Sequence, residues 1–167
     1  MATGTIILPI LGAIPDPTLP PELKFAAGTN RPYWAFDGTA SIEKMVWTFR
    51  MPVNYASGLV AKIQWSGSAS TTTSNTVQWS VFVHALTADV DGAADSDSYD
   101  SENVVSDDIL GTTAKRIQEC SLTLTNADSV AAGDYVAIRL VRDYSDAEDD
   151  LTEDAWLWAI SLEYTTT

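Results

Sequence analysis

Cysteine, histidine and basic residues are all scarce in this chain: one Cys, one His and nine Lys plus Arg among 167 residues. With Cys120 alone, no internal disulfide forms and an oxidising compartment is not required. Cys120 reads as a small buried apolar residue. His84 alone gives no support for a Ser-His-Asp or Cys-His catalytic arrangement. The basic residues stand singly or as the pair Lys115-Arg116 in a chain of net charge -14. Direct nucleic-acid binding is therefore excluded, because phosphate affinity needs clustered Lys and Arg. No Gly-rich phosphate loop and no segment of helical period is present. The one marked apolar run, "MATGTIILPILGAIP", lacks a basic leader and is interrupted by Pro9. It is a poor signal peptide and too short to span a membrane. Neither a catalytic function nor a cofactor is expected.

Acidic residues, by contrast, are abundant and concentrated. Seven lie between Asp143 and Asp154 and eight between Asp89 and Asp108, leaving eight acids against nine bases elsewhere. The body is close to neutral, and two loops carry the charge, which favours solubility. "DVDGAADSDSYD" begins like a calcium loop at Asp89, Asp91 and Gly92. It then places Ala94 where the EF-hand needs Gly, and Asp100 where it needs a bidentate Glu. Glu148-Asp149-Asp150 are contiguous and read as wet, so they lack the asymmetric carboxylate environments a glycosidase needs. Both runs are expected to be solvated, mobile and free of metal.

Prolines divide the chain. Six of the seven fall at Pro9, Pro15, Pro17, Pro20, Pro21 and Pro32. Fixed φ and a missing donor bar a helix or a central strand there, so residues 1–32 read as an extended arm. Residues 33–167 form the second unit. Period-two alternation recurs through it: Met45, Trp47, Phe49, Met51; Leu59, Ala61, Ile63, Trp65; and Val77, Trp79, Val81, Val83. Cys120, Leu122 and Leu124 follow, then Val136, Ile138 and Leu140, and finally Trp156, Trp158, Ile160, Leu162 and Tyr164. Half-buried strands carry that signature, and turn-rich stretches such as "PVNYASG" and "SGSASTTTSN" separate them. The fold class is all-β: an antiparallel, jelly-roll-like sandwich with a Pro-rich N-terminal arm. Because successive hairpins alternate ends, and Val104-Val105 favours a short strand, the acidic stretches around Asp95 and Asp149 are expected at opposite ends of the sandwich.

Four segments, "FRMPVNYASGLVAKIQWSG", "TVQWSVFVHAL", "AAGDYVAIRLVRD" and "DAWLWAISLEY", together resemble jelly-roll structural proteins of tailed bacteriophages. The resemblance spans residues 40–164 and includes a Tyr-x-x-Gly turn at Tyr55. It implies a non-enzymatic virion protein: a capsid decoration or cement protein, or a tail-associated one. On the first reading the protein sits on the capsid exterior after assembly in the host cytoplasm. Its partner is the major capsid protein or another virion protein, and it is a homotrimer. The alternative is a receptor- or glycan-binding tip of a tail or head fibre.

The arm bears on that choice. Ile6, Ile7, Leu8, Ile10, Leu11 and Ile14 form an apolar segment. Burying six such side chains gains roughly 9–18 kcal/mol, and ordering ten residues costs about 10–20 kcal/mol. These terms cancel, so the arm needs a partner groove or a sheet edge offering main-chain hydrogen bonds. Among the aromatics, Trp47, Trp65 and Trp79 lie in the apolar phase of their strands and read as core. Tyr33, Trp34, Trp156 and Trp158 are the candidate interface residues, facing another subunit, the arm or a glycan. His84 lies opposite Val81 and Val83 and reads as a surface or interface residue.

Overall fold

The computed structural model describes residues 2–39, 42–69, 72–92, 95 and 97–167. Among them are eleven strands and a single 3-10 turn at Ile10–Gly12. The strands are β1 (Thr3–Leu8), β2 (Ile14–Pro15), β3 (Glu22–Phe25), β4 (Pro32–Phe36), β5 (Ile42–Arg50) and β6 (Tyr55–Gly67). The rest are β7 (Thr76–Leu86), β8 (Asn103–Asp108), β9 (Gln118–Leu124), β10 (Tyr135–Asp143) and β11 (Ala155–Thr166). One sheet, A, runs β3-β4-β11-β6-β9, with β1 also paired to β11; the other, B, runs β2-β5-β10-β7-β8. Every pairing is antiparallel. Most connections cross from one sheet to the other, which makes a jelly-roll-like sandwich. No helix among the described residues is long and apolar enough to cross a membrane.

The alternating apolar sets meet between the sheets. Trp47, Trp65, Trp79, Leu59, Ile63, Val81, Ile138 and Leu140 are all buried there. Trp79 takes Phe36 and Trp65 edge-on, with ring centroids 5.1 and 6.3 Å apart. Such pairs add about 0.5–1.5 kcal/mol each beyond their burial. Cys120 is buried, and burial pushes its thiol pKa up to about 12, so it stays a protonated apolar group.

Residues 2–32 do not form a free arm, and this corrects the division at Tyr33. β1 pairs with β11 from Thr3↔Thr165 to Leu8↔Ile160, β2 pairs with β5, and β3 pairs with β4. Leu8 enters the core, and Ile6 and Ile10 pack against it. Two core indoles pin the intervening turn: Trp47 Nε1 donates to Pro9 O and Trp34 Nε1 to Ile10 O, each at 2.8 Å. Main-chain and indole hydrogen bonds add to the burial and tip the near-cancelled balance toward order. Gly4 lies opposite Tyr164, whose ring occupies the space a Cβ would need. Val53 and Asn54, rather than the Tyr-x-x-Gly stretch, make the turn after β5, closed by Tyr55 N–H on Pro52 O at 3.0 Å. Tyr55 already opens β6.

The stretches around Asp95 and Asp149 do lie at opposite ends, although β8 brings Asp107 and Asp108 of the first run back to the end of the second, where they pair with Val77 and Thr76. β10 is antiparallel to β7, with Tyr135 opposite Leu86 and Arg142 opposite Trp79. Residues 87–102 therefore leave one end of β7 and residues 144–154 reach the other. The second run is not simply wet. Arg142 and Asp149 are both buried, joined by Nε–Oδ2 and Nη2–Oδ1 contacts of 2.9 Å each. Arg142 also donates to the carbonyls of Phe36, Leu151 and Glu153, while Asp149 Oδ2 accepts Gln78 N–H. Asp150 Oδ1 accepts Thr76 N–H at 2.6 Å, and Asp146 Oδ1 accepts Gln78 Nε2 at 3.2 Å. These carboxylates stitch the connection onto β7. In the first run, Ala94 of the failed calcium pattern lies outside the described residues. No group of three or more potential ligands converges among the described residues.

Candidate functional site

Sequence alternation assigns Trp156, Trp158, Ile160, Leu162 and Tyr164 to one face; the structure divides them. β11 has an irregularity between Leu157 and Ala159 in its pairing with β6. One extra residue in a period-two strand transfers every later side chain to the opposite face. Ile160, Leu162 and Tyr164 therefore enter the core with Leu157, while Trp156 and Trp158 stand half-buried on the outer face of sheet A.

Tyr33 joins them there. In β4, Trp34 and Phe36 face the core, which leaves Tyr33 and Ala35 on the outer side. The Tyr33 ring lies 4.6 Å from Trp156 and 4.7 Å from Trp158, and the two indoles are 6.1 Å apart at 72°. Tyr33 is itself 6% exposed and forms the base of the cluster. Three of the four candidate aromatics are thus together, and Trp34 is not among them. It is a core residue tethered to Ile10 O.

Polar groups frame the rings. Trp158 Nε1 donates to Ser66 Oγ at 2.9 Å, whereas Trp156 Nε1 is buried without an acceptor. Arg31 stands over Trp158 at 5.8 Å and Lys115 over Trp156 at 5.3 Å, both within cation–π range. Past the bulge, the same face bears a shallow pocket of about 250 Å³, lined by Ile7, Lys62, Gln64, Glu119, Ala159 and Ser161. Its side chains are already ordered: Gln64 Nε2 donates to Glu119 Oε2 and Lys62 Nζ to Ser121 Oγ, both at 2.9 Å. The outer face of sheet A is thus a platform, aromatic at one end and lined by amide, ammonium, hydroxyl and carboxylate groups at the other. Such a surface can stack flat rings and hydrogen-bond hydroxyls.

A larger pocket, about 610 Å³, lies at the end of sheet B among Arg50, Leu86, Asp89, Asp91 and Tyr135. Size alone does not make it the better site. Asp91 Oδ2 accepts Thr87 N–H and Arg50 Nε donates to Gly133 O, internal pairing of the kind the sheet A pocket also has, so the two differ in their aromatic rings. Only one aromatic ring, Tyr135, lines it. Elsewhere on sheet B the outer aromatics hold their own loop: Arg139 stands 4.2 Å from both Phe82 and Tyr99, and His84 packs on Tyr99 at 5.6 Å. His84 does lie on the outer face, but that loop buries it, with Asp97 3.4 Å away.

The apolar N-terminal candidates separate as well. Leu8 is core and Ile6 and Ile10 pack against it, while Ile7, Leu11 and Ile14 are exposed. Of these, Ile7 reaches the sheet A pocket. Arg31, Lys115, Ser66, Gln64 and Glu119 are not legible as site residues in the sequence, because only strand register brings them beside the aromatic cluster.

No protein-family model matches the chain, and no curated protein matches it. Solved structures do. A family 35 carbohydrate-binding module from Clostridium thermocellum aligns with a TM-score of 0.53 at 14% identity, over 95% of this chain and 97% of that one. A family 11 carbohydrate-binding module from the same organism, solved with a β-1,3-1,4-mixed-linked tetrasaccharide, aligns with a TM-score of 0.54 at 9% identity, over 97% and 96%. A cyclase from Fischerella sp. TAU gives 0.54 at 11% identity, over 98% and 89%. Binding modules and an enzyme share this architecture, so what these likenesses establish is a β-sandwich of the jelly-roll kind.

Proposed function

We propose that this protein is a non-catalytic glycan-binding module that stacks sugar rings on the outer face of sheet A. One observation carries the reading: Tyr33, Trp156 and Trp158 meet on that face beside a pocket lined with hydrogen-bonding side chains. Aromatic planes with a few placed polar groups are what a ligand of hydroxyls on an apolar ring requires. The likeness to carbohydrate-binding modules agrees with it. Within the phage resemblance, the corresponding role is the tip of a fibre that meets surface sugars. The capsid-cement reading drew on the arm for contacts with the shell or a neighbouring subunit, and the pairing of β1 with β11 and of β2 with β5 supplies that segment with partners in its own chain.

The test is a glycan array followed by calorimetry on the best ligand, with Trp156→Ala and Trp158→Ala compared with the wild type. Each substitution should weaken binding at least about tenfold, as truncation of a buried aromatic anchor does. Absence of any glycan ligand, or binding indifferent to both substitutions in folded protein, would overturn the proposal.

A further inference from the structure

We infer that the aromatic face of sheet A takes an acidic glycan, one bearing uronate carboxylates, in preference to a neutral one. This rests on the glycan-binding reading and names the ligand class of the same site. Most charges near this face are already paired within the protein. Glu22 and Asp154 both pair with Lys24, at 3.0 and 3.3 Å. Glu163 lies 3.7 Å from Lys62, and Glu119 accepts from Gln64. Glu153, at the foot of β11, accepts from Ser68 Oγ at 3.1 Å.

Arg31 and Lys115 differ from these. Neither has a carboxylate within 4 Å, although 23 acids are available in the chain. Each stands instead over one of the two indoles, Arg31 over Trp158 and Lys115 over Trp156. No acidic residue is among those left undescribed, so none of the protein's own carboxylates answers them. In a protein of net charge -14, the two cations left without acid partners at this face lie where a stacked sugar would sit. A pyranose on the indole brings its ring-borne carboxylate within reach of the cation above. Each cation then exchanges a cation–π contact for a charge-assisted hydrogen bond, the stronger of the two. A neutral sugar must displace the same cations and offers them no anion in return.

Calorimetry or affinity electrophoresis with an oligogalacturonide and its fully methyl-esterified counterpart separates the cases, since esterification removes the charge of each carboxylate and adds only a methyl group. The acid should bind about five- to tenfold more tightly at low ionic strength, as two partly exposed pairs allow. That advantage should shrink as salt rises. Arg31→Gln with Lys115→Gln should abolish the difference between the two ligands, with an unchanged near-UV spectrum reporting the fold. Equal or tighter binding of the ester, or an acid preference that survives the double substitution, would overturn this inference and leave the glycan face standing. If neither these ligands nor any neutral oligosaccharide binds, the glycan-binding reading falls with it.

Discussion

Replacing Asp149 by Ala tests whether the second acidic run is structural or merely solvated. Arg142 is 1% exposed, and Asp149 supplies both its Nε and its Nη2 partner at 2.9 Å. Removing the carboxylate leaves a guanidinium that retains the carbonyls of Phe36, Leu151 and Glu153 but loses its hydrogen-bonded counter-charge. Breaking a buried pair from one side costs about 3–5 kcal/mol. In a domain of this size each kcal/mol lowers Tm by about 2–4 °C, so the midpoint should fall by about 6–20 °C. Thermal and urea melts of Asp149→Ala, Arg142→Met and the double variant complete a cycle. The double variant should lose less than the sum of the singles, because it leaves no unpaired charge. It should still be less stable than the wild type, since three carbonyls lose their donor. A loss below about 1 kcal/mol for Asp149→Ala, or strict additivity, would refute the claim that this pair fastens the connection to β7.

Deleting residues 1–15 should lower the unfolding midpoint, since it removes Leu8 from the core and strips the partner from residues 160–165 of β11. The exposed strand edge should also promote association, visible by size-exclusion chromatography with a thermal melt; unchanged stability in a monomer would count against the described docking. Burial, partly offset by the hydrogen bond from Asp37 N–H at 2.6 Å, raises the Glu43 carboxyl pKa. A carboxyl whose folded pKa is raised opposes folding as pH climbs through that value, while below the unfolded pKa both states are protonated and the contribution is complete. Glu43→Gln should therefore be more stable than wild type at pH 7 and lose that advantage below about pH 4, as read by urea melts across pH.

Residue order was enough for whatever depends on spacing along a single strand. Alternation at Leu59–Trp65, Val77–Val83 and Val136–Leu140 named core positions correctly, because a period of two places such side chains on one face whatever the neighbour. The opposite ends of the stretches around Asp95 and Asp149 followed from the β propensity of Val104-Val105, which creates β8 and reverses the chain once more. Tyr33, Trp156 and Trp158 were legible as aromatics without a certain face, but their meeting was not. It needs the bulge after Leu157, which shifts the phase of β11, and the register that sets Trp156 opposite Ala35. Tertiary structure alone decided the fate of residues 2–32, since an apolar segment at balance between burial and entropy goes wherever hydrogen-bond partners exist. β11 and the indoles of Trp34 and Trp47 supply them. The same holds for Asp149, one of three contiguous acids in sequence. Which of the three is buried depends on where Arg142 points, and that direction is set by packing between the two sheets.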